Sequence, residues 1–368
     1  MLKTPISADS HIVEPPNCYV DFIDPKYRDS APKIGKTRDG VDAFIAEGLT
    51  QKIPLGLLAA AGVPPHELKA HRAFNFDQID RASWDPSYRI AAQDADGVGG
   101  EIIFASVGMV LCSHPDYAYK RACFQAYNRW LQTFCGAHPE RLFGLAQTAV
   151  SSVDDAIEDL RAAKEMGFAG MMMTGTPAHE DYDHPDYDAL YECAVDLQLP
   201  LCFHILTSKD HDARSAFKPA RGKSANGFMN IIRGVQDVLG VFLFGSVFER
   251  HPDLKIVLAE GDAGWVPHYM YRADHAADRF NQMRHFSKPP SEWVKSNVHF
   301  TFQDDQTAYE SALIDSDCLM WANDFPHTDS TWPHSQQVLQ EQTSGLTDEQ
   351  RNRICRDNVE KLFKLPIH

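Results

Sequence analysis

The sequence predicts an α/β fold of the (β/α)8 class, a distorted TIM-type barrel with an insertion after its first strand. Two observations lead to this prediction. Eight short apolar segments recur along the 368 residues, and helical patterns lie between most of them. The segments are apolar almost throughout, as is typical of parallel strands whose two faces are both covered.

The eight candidate strands are ISAD (6–9), EIIFAS (101–106), LFGLAQ (142–147), GMMM (170–173), LPLCFH (199–204), KIVLAE (255–260), VHFTF (298–302) and CLMWAN (318–323). Helices are predicted over 87–96, 116–137, 153–167 and 186–198, from their apolar spacing. Residues 224–252 predict two consecutive helices broken near Gly240. The last helix, over 347–365, begins with the Thr–x–x–Gln pattern of a capping box.

Two regions depart from this alternation of strands and helices. Residues 15–88 contain no βα repeat and many prolines, which predicts an insertion or cap after the first strand. Residues 206–225 form a long polar segment after the fifth strand. In a barrel such a loop lies on the face where active sites are built. We therefore predict a single catalytic domain over residues 1–368, with 206–225 as an active-site loop.

Composition narrows the classes of function. The formal net charge is −16 and the sequence pI is near 5.4, which argues against binding nucleic acid or an anionic membrane surface. Neither a long apolar run nor a secretory signal pattern is visible, so we expect a cytoplasmic protein. The eight cysteines form no CxxC pair and predict reduced thiols. No phosphate-binding glycine motif is present, so a small-molecule substrate without a nucleotide cofactor is expected.

Residues of the types that bind metal ions stand at the ends of four predicted strands: Asp9 and His11, His204, Glu260, and Asp324 followed by His327. Each has an ordinary structural explanation, such as a turn cap or a core histidine. Because the carboxyl ends of parallel strands meet at one face of a barrel, the side chains are expected to converge there. Buried charges are costly unless they are paired or bound to a metal. Together they predict a centre for Zn, Fe or Mn.

The motifs ADSHIVEP, WDPSYRIAAQDADGVGGEIIF, FERHPDLKIVLAEGDAGWVP and WANDFPHTDSTWP keep an order and spacing that resemble one family. It is the amidohydrolase-related group of metal-dependent (β/α)8 enzymes, which includes aminocarboxymuconate semialdehyde decarboxylase and γ-resorcylate decarboxylase. The resemblance implies that Asp9, His11, His204 and Asp324 bind the metal, and that Asp324 also handles a proton of bound water. It further implies a homo-oligomer, dimeric or larger, or a hetero-oligomer with a paralogue.

Glu260 departs from the decarboxylases that the sequence resembles, which carry a histidine at this strand end. The EGDAGW segment is typical of another branch of the family. Glu260 is expected to be the general base, or to bind or bridge metal ions. His275 and His327 are further candidate ligands for a second ion. An oxygen-rich site with two ions would favour Fe or Mn over Zn.

Three functions follow as hypotheses. The first is a metal-dependent hydrolase or non-oxidative decarboxylase of a small carbonyl- or carboxylate-bearing molecule, with Glu260 or Asp324 moving the proton. Hydrolysis is preferred within it because the decarboxylase histidine is missing. The second is an Fe- or Mn-dependent oxygenase, a hydroxylase with two metal ions on the same scaffold. The third is a barrel without activity that serves as partner to an active relative. The identity of the substrate stays open.

Overall fold

The computed structural model describes residues 1–50, 52–207, 222, 225–229, 231–280, 286–310 and 316–366. Eleven strands are described: β1 (Ile6–His11), β2 (Lys33–Lys36), β3 (Asp42–Ile45), β4 (Lys52–Pro54), β5 (Gly100–Phe104), β6 (Leu142–Gln147), β7 (Gly170–Met172), β8 (Leu201–His204), β9 (Ile256–Ala259), β10 (Val298–Phe302) and β11 (Leu319–Trp321). Strands β1 and β5–β11 form one parallel sheet in chain order, curved into a nearly closed barrel. The predicted fold class and all eight predicted strands are therefore confirmed.

The α-helices between and after the barrel strands span Pro86–Asp96, Val107–Leu111, Tyr117–Gly136, Val153–Glu165, Asp188–Leu197, Ala225–Phe228, Arg233–Phe244, Val247–Arg250, Val266–Arg279, Pro290–Asn297, Gln306–Glu310, Ser335–Gln342, Asp348–Asn352 and Asn358–Phe363. Several begin at side-chain caps, among them Ser152, and the predicted Thr347–Gln350 capping box is present. In the described part of the chain, no helix is both long and apolar enough to cross a membrane.

The predicted break near Gly240 is wrong. The helix Arg233–Phe244 runs through this glycine and ends at Gly245. A glycine inside a helix costs only about 1 kcal/mol, and burial of Val238 and Phe242 on the inner face offsets that cost. At Gly245 a Cβ atom would lie 2.1 Å from the Cβ of Asp183, so only glycine fits where the chain turns.

The segment 15–88 contains an antiparallel sheet of β2, β3 and β4 and the short helices Leu55–Leu58 and Leu68–His71. It contacts the barrel where the N–H groups of Ala60 and Ala61 donate to the carbonyl of Pro326, at 2.9 and 3.0 Å. Most of the predicted loop 206–225 lies outside the described residues. The predicted domain organisation and the predicted oligomer stay predictions.

The barrel closes between β1 and the residues that follow β11. The N–H of Asp324 donates to the carbonyl of Asp9 at 3.0 Å, and the N–H of His11 donates to the carbonyl of Phe325 at 2.7 Å. Arg89, from the helix Pro86–Asp96, donates to the carbonyls of His11 (2.8 Å) and Phe325 (3.0 Å). We call these two backbone segments, joined by Arg89, the closing seam.

Arg89 is itself held by an ion pair inside the protein. Its Nε lies 2.5 Å from Glu101 Oε2 on β5, and the two side chains are 0% and 1% exposed. The second oxygen of Glu101 accepts from Asn323 at 3.3 Å, and Gln93 donates to Oε2 at 2.8 Å. Because both charges are removed from water, each depends on the other for compensation.

Replacing Arg89 by methionine is expected to lower the free energy of unfolding by about 3–5 kcal/mol, because Glu101 would stay buried without a cation. Urea unfolding followed by circular dichroism measures this loss. The control is Arg81→Met, since Arg81 forms a 2.6 Å pair with Asp85 but is 51% exposed. That variant is expected to lose no more than about 1 kcal/mol. Equal losses in the two variants would contradict a dominant role for the buried pair.

Candidate metal centre

Six of the predicted ligand residues converge at the carboxyl ends of the barrel strands. His11 and His204 approach with their Nε2 atoms 3.1 Å apart. The Nε2 atom of His11 lies 3.4 Å from Asp9 Oδ1 and 3.4 Å from Asp324 Oδ1. The Nε2 atom of His204 lies 3.2 Å from Glu260 Oε2. Residues more than 300 positions apart in the sequence thus meet at one point.

The strands position these side chains. Asp9 and His11 occupy alternate positions of β1 and therefore share one face. His204 is the last residue of β8. Glu260 and Asp324 follow β9 and β11 with φ values of 53° and 51°, in the left-handed region that few side chains adopt. This conformation turns the chain sharply at the strand end, where the carboxylate side chain joins the cluster.

Backbone carbonyls determine which nitrogen of two histidines carries the proton. His11 Nδ1 lies 3.2 Å from the carbonyl of Ala105, and His204 Nδ1 lies 3.0 Å from the carbonyl of Ile205. A carbonyl oxygen only accepts, so Nδ1 is the donor in each ring. The lone pair of each Nε2 then faces the cluster, as metal-binding histidines require.

His327 is oriented through Ser106. The Ser106 hydroxyl donates its proton to the carbonyl of Ile12 at 2.7 Å, so its oxygen accepts from His327 Nε2 at 2.8 Å. The Nδ1 atom of His327 therefore presents its lone pair, and it lies 3.2 Å from Asp324 Oδ1. The His327 ring stacks on that of His11 with the centroids 4.0 Å apart. His327 can thus bind an ion beside the first two histidines.

The carboxylates show why a cation fits here. Thr301 donates to Asp9 Oδ2 at 2.9 Å, but Asp9 Oδ1 and both oxygens of Asp324 are buried without a hydrogen-bond partner among the described residues. Burial and repulsion from Asp9 raise the pKa of Asp324 well above its usual range. Burial and repulsion from Asp324 raise the pKa of Glu260. A divalent cation would satisfy the unpaired oxygens and remove this repulsion.

The histidines agree with this reasoning. Burial, with the charge of His327, lowers the pKa of His11 to about 4. For His204, burial opposes the charged form, but the Asp9 carboxylate outweighs it and raises the pKa well above the usual value. Without an ion, the protonated His204 donates its Nε2–H to the Nε2 lone pair of His11 at 3.1 Å, so the contact between the two rings already holds a positive charge. A metal ion would replace that proton as the positive charge.

The ligand atoms form two overlapping groups, each with its atoms within 4.8 Å of one another. One group is Asp9, His11 and His204, and the other is His11, Glu260, Asp324 and His327. Only His11 belongs to both. The donor set of imidazole and carboxylate suits Zn, Mn or Fe.

One predicted ligand lies apart from the cluster, and two residues of the cluster were not predicted. His275 is on the helix Val266–Arg279, where its ring faces Tyr271 with the centroids 6.5 Å apart. We therefore remove it from the candidate ligands. Thr301 and Ser106 were missed. Thr301 is a polar residue in a mostly apolar strand, and Ser106 ends the predicted strand 101–106. These two features of the sequence could have indicated a role in the cluster.

A (β/α)8 barrel that carries histidine and carboxylate side chains at its carboxyl-terminal mouth defines a class of metal-dependent enzymes. The chain belongs to the amidohydrolase family, whose model matches residues 71–365. The family resemblance expected from the sequence is therefore confirmed, and the protein is an enzyme of this superfamily.

Individual relatives are more distant. A 2-amino-3-carboxymuconate-6-semialdehyde decarboxylase of Dictyostelium discoideum is 25% identical over 235 residues, which cover 61% of this chain and 62% of that protein. An amidohydrolase of Mycobacterium avium subsp. paratuberculosis superposes with a TM-score of 0.80 at 19% identity, over 99% of this chain and all of that one. A 5-carboxyvanillate decarboxylase of Novosphingobium aromaticivorans, complexed with manganese and 4-hydroxy-3-methoxy-5-nitrobenzoic acid, superposes with a TM-score of 0.69 at 20% identity, covering 98% and 96% of the two chains.

Replacing His204 by alanine is expected to remove most of the bound metal, because the Nε2 atom that faces Asp9 and Glu260 is lost. Elemental analysis of the purified variants measures the metal content per chain. The control is His275→Ala, which removes the same side chain outside the cluster and is expected to keep the wild-type content. A comparable loss in both variants would contradict the assignment of the ligands.

Replacing Thr301 by valine is expected to weaken metal binding about 10- to 100-fold, because its hydroxyl holds the Asp9 carboxylate and accepts from the N–H of Glu260 at 2.8 Å. Valine keeps the shape but removes both hydrogen bonds. Competition with a chelator measures the affinity. Thr133→Val, at an exposed helical position, is the matched control. Wild-type affinity in Thr301→Val would show that Asp9 needs no support from β10.

Proposed function

We propose that the protein is a metal-dependent, non-oxidative decarboxylase of a small aromatic or unsaturated carboxylic acid. The observation that carries this proposal is that the side chains of the cluster fall into two groups, which differ in their exposure to solvent. Asp9, His11, His204 and Asp324 are fully buried, whereas Glu260 and His327 are 15% and 14% exposed. The first four suit the binding of a cation, and the last two can meet a substrate.

The chemistry follows from this division. A divalent cation held by Asp9, His11, His204 and Asp324 would supply a Lewis acid that binds and polarises oxygen atoms of the substrate. Decarboxylation breaks the bond between the carboxylate group and the adjacent carbon of the substrate. Carbon dioxide leaves, the electron pair of the bond stays on the substrate carbon, and this carbon takes up a proton. That proton must come from a group beside the substrate carbon.

We assign the movement of that proton to Glu260. Its side chain is 15% exposed, whereas the side chains of Asp9, His11, His204 and Asp324 beside it are fully buried, so its carboxyl group can meet a substrate bound at the cation. His327 lies next to it with its Nε2–H directed to Ser106, so its free Nδ1 can bind the cation or accept a proton. The relatives that carry decarboxylase names support this choice of reaction.

Hydrolysis by the same centre is the second candidate, and one observation favours it. A carboxylate, Glu260, stands where the decarboxylases that the sequence resembles have a histidine, and a carboxylate is suited to take a proton from water. The expected oxygenase would need a second ion, and the two ligand groups share His11, whose single free nitrogen can bind only one ion. Product analysis separates these three reactions.

The test is to incubate the manganese- or zinc-loaded enzyme with hydroxylated benzoic acids and alkenoic acids in D2O. The proposal expects release of carbon dioxide. It also expects incorporation of one deuterium at the carbon that lost the carboxylate. In Glu260→Gln, kcat is expected to fall at least about 100-fold with the metal content unchanged. Cleavage of the corresponding aryl esters or anilides, with addition of water and no loss of carbon dioxide, would establish hydrolysis instead. Consumption of oxygen, with metal content falling from two ions to one in Glu260→Gln, would establish the oxygenase.

A further inference from the structure

A cavity lies at the end of the barrel opposite the metal centre. Its volume is about 580 Å³, within the range of small-molecule binding sites. The residues that precede β8, β9, β10 and β11 line it, together with the helix Asn358–Phe363. It therefore opens on the amino-terminal face, which in this class of barrel does not carry the catalytic groups.

The cavity collects positive charge in an acidic protein. Four lysines line it: Lys255, Lys295, Lys361 and Lys364. None of them has a carboxylate within ion-pair distance among the described residues. Lys255 Nζ donates instead to the neutral carbonyl of Ser296 at 2.6 Å.

Two aspartates also line the cavity, Asp253 and Asp317, and Asp317 lies 3.2 Å from Arg353. The four lysines therefore outnumber the two carboxylates, although the whole chain carries −16. Positive charge left without a carboxylate partner in a concave site attracts anions.

His299 also lines the cavity. It is the one residue of the eight described barrel strands that is not fully buried, and its buried Nδ1 has no hydrogen-bond partner among the described residues. His299 lies two residues before Thr301 on the same face of β10. It is therefore roughly 7 Å further from the metal centre than Thr301. Burial, together with the charges of Lys255 and Lys361, lowers the pKa of His299 to about 3. The ring is thus neutral and surrounded by positive charge.

We propose that this cavity is a binding site, separate from the metal centre, for a small organic anion with two or more phosphoryl or carboxylate groups. The ammonium groups of Lys295, Lys361 and Lys364 pair with its charges. His299 lines the same cavity, so its ring lies near the bound anion. Because no group of the metal centre lies at this face, the ligand is regulatory or stabilising and not a substrate.

Isothermal titration calorimetry on the metal-loaded protein, at constant ionic strength, tests the proposal with three probes. Fructose 1,6-bisphosphate carries phosphoryl groups, tricarballylate carries carboxylates, and fructose is the neutral control. At least one anion is expected to bind with a Kd below about 1 mM. Which of the two binds identifies the anionic group. Binding of neither anion, or of fructose equally well, would overturn the proposal.

The location is tested with matched variants. K295Q/K361Q removes two exposed lysines of the cavity and is expected to weaken anion binding at least about tenfold. K33Q/K69Q removes two exposed lysines from the segment 15–88 and is expected to bind as the wild type does. His204→Ala disrupts the metal centre and is expected to keep anion binding. Loss in His204→Ala but not in K295Q/K361Q would place the anion at the metal centre and refute the second site.

Shifts of the His299 ring signals give an independent measurement that needs no lysine variant. In NMR spectra of the metal-loaded protein, the bound anion is expected to shift the Nδ1 resonance of His299 and to leave that of exposed His66 unchanged. An unshifted His299 resonance under saturating anion would contradict binding in this cavity.

Discussion

The buried ion pair of Arg89 and Glu101 is the interaction on which the closed barrel and its metal centre both depend. Neither side chain reaches water, so the cost of burying each charge is offset only by the other and by hydrogen bonds around them. Arg89 meets that requirement with the carbonyls of His11 and Phe325, which lie on the two sides of the closing seam. The hydrogen bonds that buried Arg89 needs thereby fix how β1 meets the segment that follows β11.

The closing seam and the metal centre share residues. The backbone of Asp9, His11 and Asp324 forms the hydrogen bonds that close the barrel, and their side chains face the candidate ion. Asn323 extends the same network, because its side-chain oxygen accepts from Ser10 and its N–H donates to Ser7. The ligands are therefore held by the sheet itself, which fixes their separations more closely than a surface loop could.

Much of this arrangement could be predicted from the sequence because the relevant signals are local. Strands buried on both faces must be apolar throughout, and a charged or imidazole residue directly after one, such as His204 or Asp324, stands out. Features that depend on three-dimensional contacts could not be predicted. The hydroxyl of Thr301 acquires its role only when β10 faces Asp9, and the continuous helix at Gly240 depends on the packing of its apolar face. His275 has the chemistry of a ligand, but its helix places it elsewhere.

Some charged side chains of the protein are matched by opposite charges, and unmatched sets lie at the two mouths of the barrel. Arg89 is matched by Glu101, and Arg121 by Asp155 and Asp159 at 2.6 and 3.0 Å. At the carboxyl-terminal mouth the buried oxygens of Asp324 have no such match, and at the amino-terminal mouth the cavity lysines have none among the described residues. Unpaired charge in a concave site attracts an ion of the opposite sign, and for the buried oxygens of Asp324 the unpaired state is also costly. The apolar strands between them keep the two sets apart, so one barrel can hold a cation at one end and an anion at the other.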